Sequence, residues 1–155
     1  MPDVYNLAVR FRRAIDTAVY NRELTMYPFY KFPDDCCDMM CDLLAQYLHE
    51  NDIPTVQING EHKNNHQWHH VWLQTMDGIV VDITGDQFNG KTNMPNNIQP
   101  VHVGREGSIH GIFCKNRRFE GSTEFVGERC FAPFGVPNRR QKDLIEAYNI
   151  ILQYL

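Results

Sequence analysis

Residues 67–84 read QWHHVWLQTMDGIVVDIT, two runs rich in β-branched and aromatic side chains on either side of an Asp77-Gly78 turn signal. They predict a β-hairpin, and its register decides which polar side chains meet. A two-residue loop would set Asp82 opposite Leu73, on the face shared by His69 and Val71. A three-residue loop, Met76 to Gly78 with Gly78 in the left-handed position, would set Asp82 opposite Trp72 and diagonal to His70. Glycine at the third loop position suits the second form, so the hairpin is expected to bring Asp82 within reach of His70.

Upstream, TVQING (residues 55–60) also alternates as a strand, whereas the N-terminal third is helical. Val4, Leu7, Ala8, Phe11, Ile15, Ala18 and Val19 recur at helical spacing over Asp3 to Tyr20, with Arg12, Arg13 and Asp16 on the opposite side. The proline- and aromatic-rich YPFYKFPDD (residues 27–35) breaks that pattern. Met40, Leu43, Leu44, Tyr47 and Leu48 then mark a second helix, with Asp34 or Asp35 as its expected cap and Asn51 and Pro54 beyond its end. Cys36 and Cys37 fall in its first turn. Downstream, NGKTNMPNN (residues 89–97) reads as a loop, and PVHVG and SIHGIFC as short strands. Leu144, Ile145, Tyr148, Ile151, Leu152 and Leu155 share one face of a closing helix capped by Asn138. The expectation is one α+β domain spanning residues 1–155, N-terminal helices packed on an antiparallel sheet with a helix at the C-terminal end.

The composition narrows the function classes. A chain of 155 residues with 43% hydrophobic side chains can bury a core without disulfide staples. The five cysteines, Cys36, Cys37, Cys41, Cys114 and Cys130, are odd in number and three crowd between 36 and 41, which suits free thiols in a reducing compartment. Fifteen basic against nineteen acidic side chains, a formal charge of −4, argue against nucleic acid as a partner. No apolar run approaches the roughly 20 residues of a membrane span, and the first ten residues lack a secretory pattern. A cytoplasmic location is therefore expected, with no membrane partner.

Nucleophilic attack on a carbonyl needs a thiolate, a base to hold its proton, and a group that fixes the base's tautomer. A free thiol, with a pKa near 8.5, is helped by the partial positive charge and unpaired amides of a helix N-terminus, which favours Cys36 and Cys37 among the five. The hairpin offers His70 or His69 as the base and Asp82, with Asp86 in reserve, as the orienting carboxylate. Trp68, Trp72 and Gln67 are candidates to line a substrate cleft. HxxHH at residues 66–70 beside three cysteines also offers zinc-ligand types, but its spacing fits no standard zinc pattern, and neither metal nor cofactor is expected.

Cys in FPDDCCDMMCDLLAQYL at a helix start, HHVWL with its His-x-Trp element, and VVDITGDQF together resemble the papain-like transglutaminase superfamily of cysteine enzymes. The likeness covers residues 32 to 88 and is close to small bacterial members with the pattern FPxxxC, LLxxYL, HxW and DITxDQF. It is similar to lasso-peptide leader peptidases in the His-x-Trp region. Arylamine acetyltransferases share the catalytic order, though this chain is short for their additional domains. The resemblance implies a papain-like core and a triad of Cys37 as nucleophile, His70 as base and Asp82 as orienting carboxylate, with Cys36, His69 and Asp86 in reserve. The spacing from Cys37 to the helix end at Asp52-Ile53 favours it over Cys36 by one residue. Cys36, Met39 and Met40 stand where small or polar residues are commoner in the family, and Asp52 where a Gly often ends the helix. The implied activity is thiol-dependent acyl transfer on peptide or protein amides, as a cysteine peptidase, glutamine deamidase or transglutaminase. The alternatives are a non-catalytic peptide- or protein-binding module of the same fold and a Cys/His zinc-binding structural protein. On the catalytic reading, His70→Ala abolishes turnover with folding largely intact, and His69→Ala does neither.

Overall fold

The computed structural model of the protein describes residues 3–119 and 138–155. Among the described residues, three α-helices accompany one five-stranded sheet whose neighbours are all antiparallel. The helices are α1 (Val4–Tyr20), α2 (Cys37–Glu50) and α3 (Arg139–Leu152). The strands are β1 (Thr55–His62), β2 (Asn65–Thr75), β3 (Val80–Asp82), β4 (His102–Gly104) and β5 (Phe113–Phe119), in the order β4-β3-β2-β1-β5. No described helix is long and apolar enough to cross a membrane.

The strand period of two sorts side chains onto two cores. Val71, Leu73, Val81 and Ile83 join the core built with the helices, including Phe11, Ile15, Leu43, Leu44, Leu48, Leu144 and Ile151. Trp72 and Val80 point the other way, into a smaller cluster with Val56, Ile58, Phe88, Ile109 and Phe113. Of the helices, α2 has the most extensive contact with the sheet, and it lies along β2.

The β2–β3 turn takes the three-residue form. Leu73 pairs with Val81 and Gln74 with Val80, the Thr75 amide donates to the Ile79 carbonyl at 2.8 Å, and Gly78 has a φ of 90°. Only a residue without a Cβ takes that backbone angle cheaply. Continued by one pair, the same register sets Asp82 beside Trp72 and diagonal to His70.

Three expectations are corrected. Neither Asp34 nor Asp35 caps α2. Cys36 holds that position, its carbonyl accepting from the Met40 amide at 2.9 Å, while Asp35 has a φ of 57° and pairs its side chain with Lys31. SIHGIFC is not one strand: His110–Ile112 form a 3-10 turn, and β5 begins only at Phe113. Arg12 does not lie on a solvated face but is buried, its guanidinium donating to Asp86, to the Ile83 carbonyl at 2.7 Å and to the Pro100 carbonyl at 3.0 Å. Asp3 and Asn138 cap α1 and α3. Cys130 lies outside the described residues.

Candidate active site

The start of α2 separates three neighbouring cysteines. Cys36 is fully buried, and its thiol donates to the Pro28 carbonyl at 3.1 Å. Burial, and then the charges of Cys37 and Asp35, push its thiol up to about 12. Cys41 lies one turn further in, where burial also raises its thiol well above the ordinary range. Cys37 is the first helical residue and half-buried, beside amides of the first turn that have no partner within the helix. Arg140, in the first turn of α3, holds this end of α2 in place through Asp38 at 2.9 Å and Asp42 at 2.6 Å.

His70 reaches the same point from β2. Its ring is completely buried, with Phe88 edge-on at 5.1 Å and Phe113 at 5.6 Å between centroids. Phe113 packs so closely because β1 carries Gly60 opposite His70, where a Cβ would meet the Phe113 Cβ at 2.6 Å. Nε2 of the ring lies 2.7 Å from Asp82 Oδ2, and the Cys37 side chain is near enough to the ring to favour its charged form. Gln87 Nε2 sits 3.3 Å from Nδ1 and donates to the Thr84 carbonyl at 3.0 Å. Burial opposes a charge on the ring, but the Asp82 carboxylate, its bond to the ring and the nearby Cys37 outweigh it and push the imidazole up to about 10.

Asp82 is as deeply buried as its partner. Its Oδ1 accepts from the Thr84 amide at 3.0 Å, and its Oδ2 accepts from His70 and from Nε2 of His110 at 2.9 Å. Burial alone would raise this carboxyl, but the His70 charge and the two imidazole bonds hold it well below the usual carboxylate range. His110 is the member that the sequence pattern does not reveal, because SIHGIFC reads as a strand and His110 lies in a 3-10 turn. The available signal was a lone histidine between isoleucines.

The remaining predicted residues sort clearly. Trp72 is core, packed 5.5 Å from the His70 ring and 4.9 Å from His110. Trp68 is half-buried between His62 and Phe88, and Gln67 is exposed on β2. His69 is exposed on the opposite face of β2 from His70, paired in register with Glu61. Asp86 orients neither histidine, because Arg12 takes both of its oxygens at 2.9 and 2.8 Å. Geometry joins His70 to Asp82, with Cys37 beside the ring, and leaves Cys36, His69 and Asp86 in other company.

Among the described residues, the one set of three metal-ligand types that converges is His70, Asp82 and His110; the cysteines of α2 form no such set with histidines. The His110 tautomer argues against an ion there. Its Nδ1 accepts the Gly107 amide at 2.9 Å, which puts its single proton on Nε2, facing Asp82. An ion at Nε2 would force the proton onto Nδ1, against another N–H. Two hollows flank the centre. An open cleft of about 500 Å³ between the starts of α2 and α3 is lined by Tyr27, Asp38, Met39, Arg139 and Asp143, and one of about 170 Å³ behind Asp82 by His102, Ser108 and His110.

What the fold and site define is an α+β chain in which a helix-start thiol meets a buried histidine held by a carboxylate. Comparison with models of protein families, with curated proteins and with solved structures gives no match.

Proposed function

We propose that the protein is a thiol-dependent acyl-transfer enzyme of the papain-like, transglutaminase-like type, acting on peptide or protein amides through Cys37, His70 and Asp82. The observation that carries this reading is the half-buried Cys37 at the start of α2 beside the buried His70 ring, which in turn meets Asp82 at 2.7 Å. Its chain order, a helix-borne cysteine followed by histidine and aspartate on neighbouring strands, is that of the superfamily which the sequence resembles.

The chemistry follows from where protons sit. Asp82 holds the Nε2 hydrogen, which leaves Nδ1, beside the Gln87 side-chain amide, as the nitrogen that takes the thiol's proton, giving a thiolate beside an imidazolium. The sulfur attacks the amide carbon, and the Cys37 amide, unpaired at the helix start, donates to the developing oxyanion. The Nδ1 hydrogen passes to the leaving amine as the C–N bond breaks, giving a thioester on Cys37. Water or a second amine then attacks that thioester while Nδ1 accepts its proton, and collapse returns the thiolate. Water as acceptor makes the enzyme a peptidase or deamidase; an amine makes it a transglutaminase.

Alkylation of the folded protein with iodoacetamide at neutral pH, followed by peptide mapping, tests the pair. Cys114 is exposed on β5 and serves as an internal reference thiol. Cys37 is expected to react at least tenfold faster than Cys114, because His70 takes its proton, and to form a thioester adduct, seen by intact mass, on glutamine-containing peptides. Equal rates at the two cysteines would sink the reading.

A further inference from the structure

The contacts of His110 with Asp82 and Gly107 bear directly on how strongly Asp82 pulls on His70. We propose that His110 is a positioning residue: a neutral imidazole that donates its Nε2 proton to Asp82 Oδ2, fixes the plane of that carboxylate and tempers its pull on His70. Its effect on catalysis rests on the acyl-transfer reading, but its tautomer and its influence on His70 do not.

The tautomer is fixed by a backbone group, whose direction is not open to choice. The Gly107 amide donates to Nδ1 at 2.9 Å, so Nδ1 carries a lone pair and the ring's proton lies on Nε2, 2.9 Å from Oδ2. A ring turned over by half a rotation would offer carbon to both partners. His110 is buried, against the Trp72 ring at 4.9 Å and the His102 ring at 5.0 Å, which leaves it no second orientation. The backbone closes on the same oxygen at Gly85, where a Cβ would stand 3.1 Å from Oδ2 and 2.8 Å from the Ile109 Cδ1.

Three donors thus define Asp82: the Thr84 amide on Oδ1 and two imidazoles on Oδ2. Two N–H groups sharing one oxygen each receive less of its charge than either would alone. His110 therefore makes Asp82 a weaker acceptor for His70 while holding its rotamer. The titratable groups around this centre are Cys37 and Cys41 from α2, Asp82 from β3, His102 from β4 and His110 itself. Of these, Asp82 is bonded to the His70 ring and Cys37 lies beside it.

Nitrogen-15 NMR of the histidine rings tests the proposal. In the wild-type protein, neutral His110 is expected to show a protonated Nε2 and a bare Nδ1. His110→Leu removes one donor from Oδ2, so the His70 titration midpoint is expected to move upward by about half a unit, a threefold gain in proton affinity. His110→Gln places an amide nitrogen near the Nε2 position and is expected to return the midpoint toward the wild-type value. A protonated Nδ1 on wild-type His110, or a His110→Leu midpoint equal to wild type, overturns the proposal. If His110→Leu does not fold, the wild-type tautomer still decides. Iodoacetamide reactivity of wild-type Cys37 reports separately on the acyl-transfer reading, so a failure of either idea is recognised apart from the other.

Discussion

Cys36 and Cys37 are adjacent and chemically identical, yet one step along the backbone gives them opposite fates. Spacing along the sequence separates them by a single position and carries no reason for the difference. The reason is that Cys36 points inward onto the Pro28 carbonyl, a contact eight residues back that no local pattern encodes. Cys36→Ala is accordingly expected to cost about 1 kcal/mol of stability, a lost hydrogen bond and little volume, while Cys37 keeps its alkylation rate. The histidines divide in the same way. Alternation along β2 predicts that His69 and His70 face opposite sides, and they do. Burial was not legible, because a histidine scores as polar wherever it sits. It changes what the His70→Ala experiment reports: removing a fully buried ring that is bonded to a buried carboxylate is expected to destabilise the fold by about 3 kcal/mol as well as to abolish the enhanced reactivity of Cys37. His69→Ala should leave both within error, to be read by urea denaturation and alkylation of the two variants side by side. A His69 variant with the larger loss would mean that the β2 register is wrong.

At the level of elements, the legible features were those with short-range causes. Gly78 at the third position of its turn fixed the hairpin register, and through it the meeting of Asp82 and His70. Asn138 caps α3 as expected because its side chain reaches an amide three residues on, while Asp3, read as the first residue of its helix, caps α1 in the same way. The α2 cap failed because Asp35 takes a left-handed backbone angle and turns its carboxylate to Lys31. Arg12 failed for a different reason: helical periodicity assigns every arginine to water, and apart from Asp16 one turn on, the groups that hold this one lie 71 to 88 residues away. That guanidinium ties α1 to the turn after β3, the turn that also carries Thr84 and Gly85 against Asp82. Arg12→Met is expected to cost about 3–5 kcal/mol, since it leaves Asp86 and two backbone carbonyls without their donor. Arg12→Lys is expected to recover only part of that loss, because one ammonium cannot span the set that the planar fork does. Urea midpoints of the two variants check both statements, and equal stability of Arg12→Met and wild type would show that the buried guanidinium contributes nothing net.

For the whole molecule, hydrophobic periods were sufficient to predict an α+β chain, helices first and last, but not the strand order. β5 returns across the sheet to pair with β1, leaving β1 between β2 and β5, and a pairing over more than fifty residues has no local signature. The same long-range closure brings His110 to Asp82, and with it an unusual consequence for how stability depends on pH. The His70 imidazole is raised to about 10 against roughly 6.5 in an unfolded chain, so its contribution is complete below about pH 6.5 and is lost as pH rises through about 10. The Asp82 carboxyl is lowered against roughly 3.9 unfolded, so its contribution is present above about pH 4 and is lost as pH falls through its native value. Both shifts describe one contact and count once. The centre therefore stabilises the fold most between about pH 4 and 6.5, below the range in which the proposed catalysis runs, and part of that stabilisation is already gone by the slightly alkaline conditions in which thiols react fastest. Asp82→Asn removes the charge on which both limbs depend. The difference in urea midpoint between wild type and Asp82→Asn, measured from pH 3 to 10, is expected to be largest in that acidic window and to shrink on either side. A constant difference would mean that Asp82 holds the fold by packing and hydrogen bonds alone, with no ionised pair in the native centre.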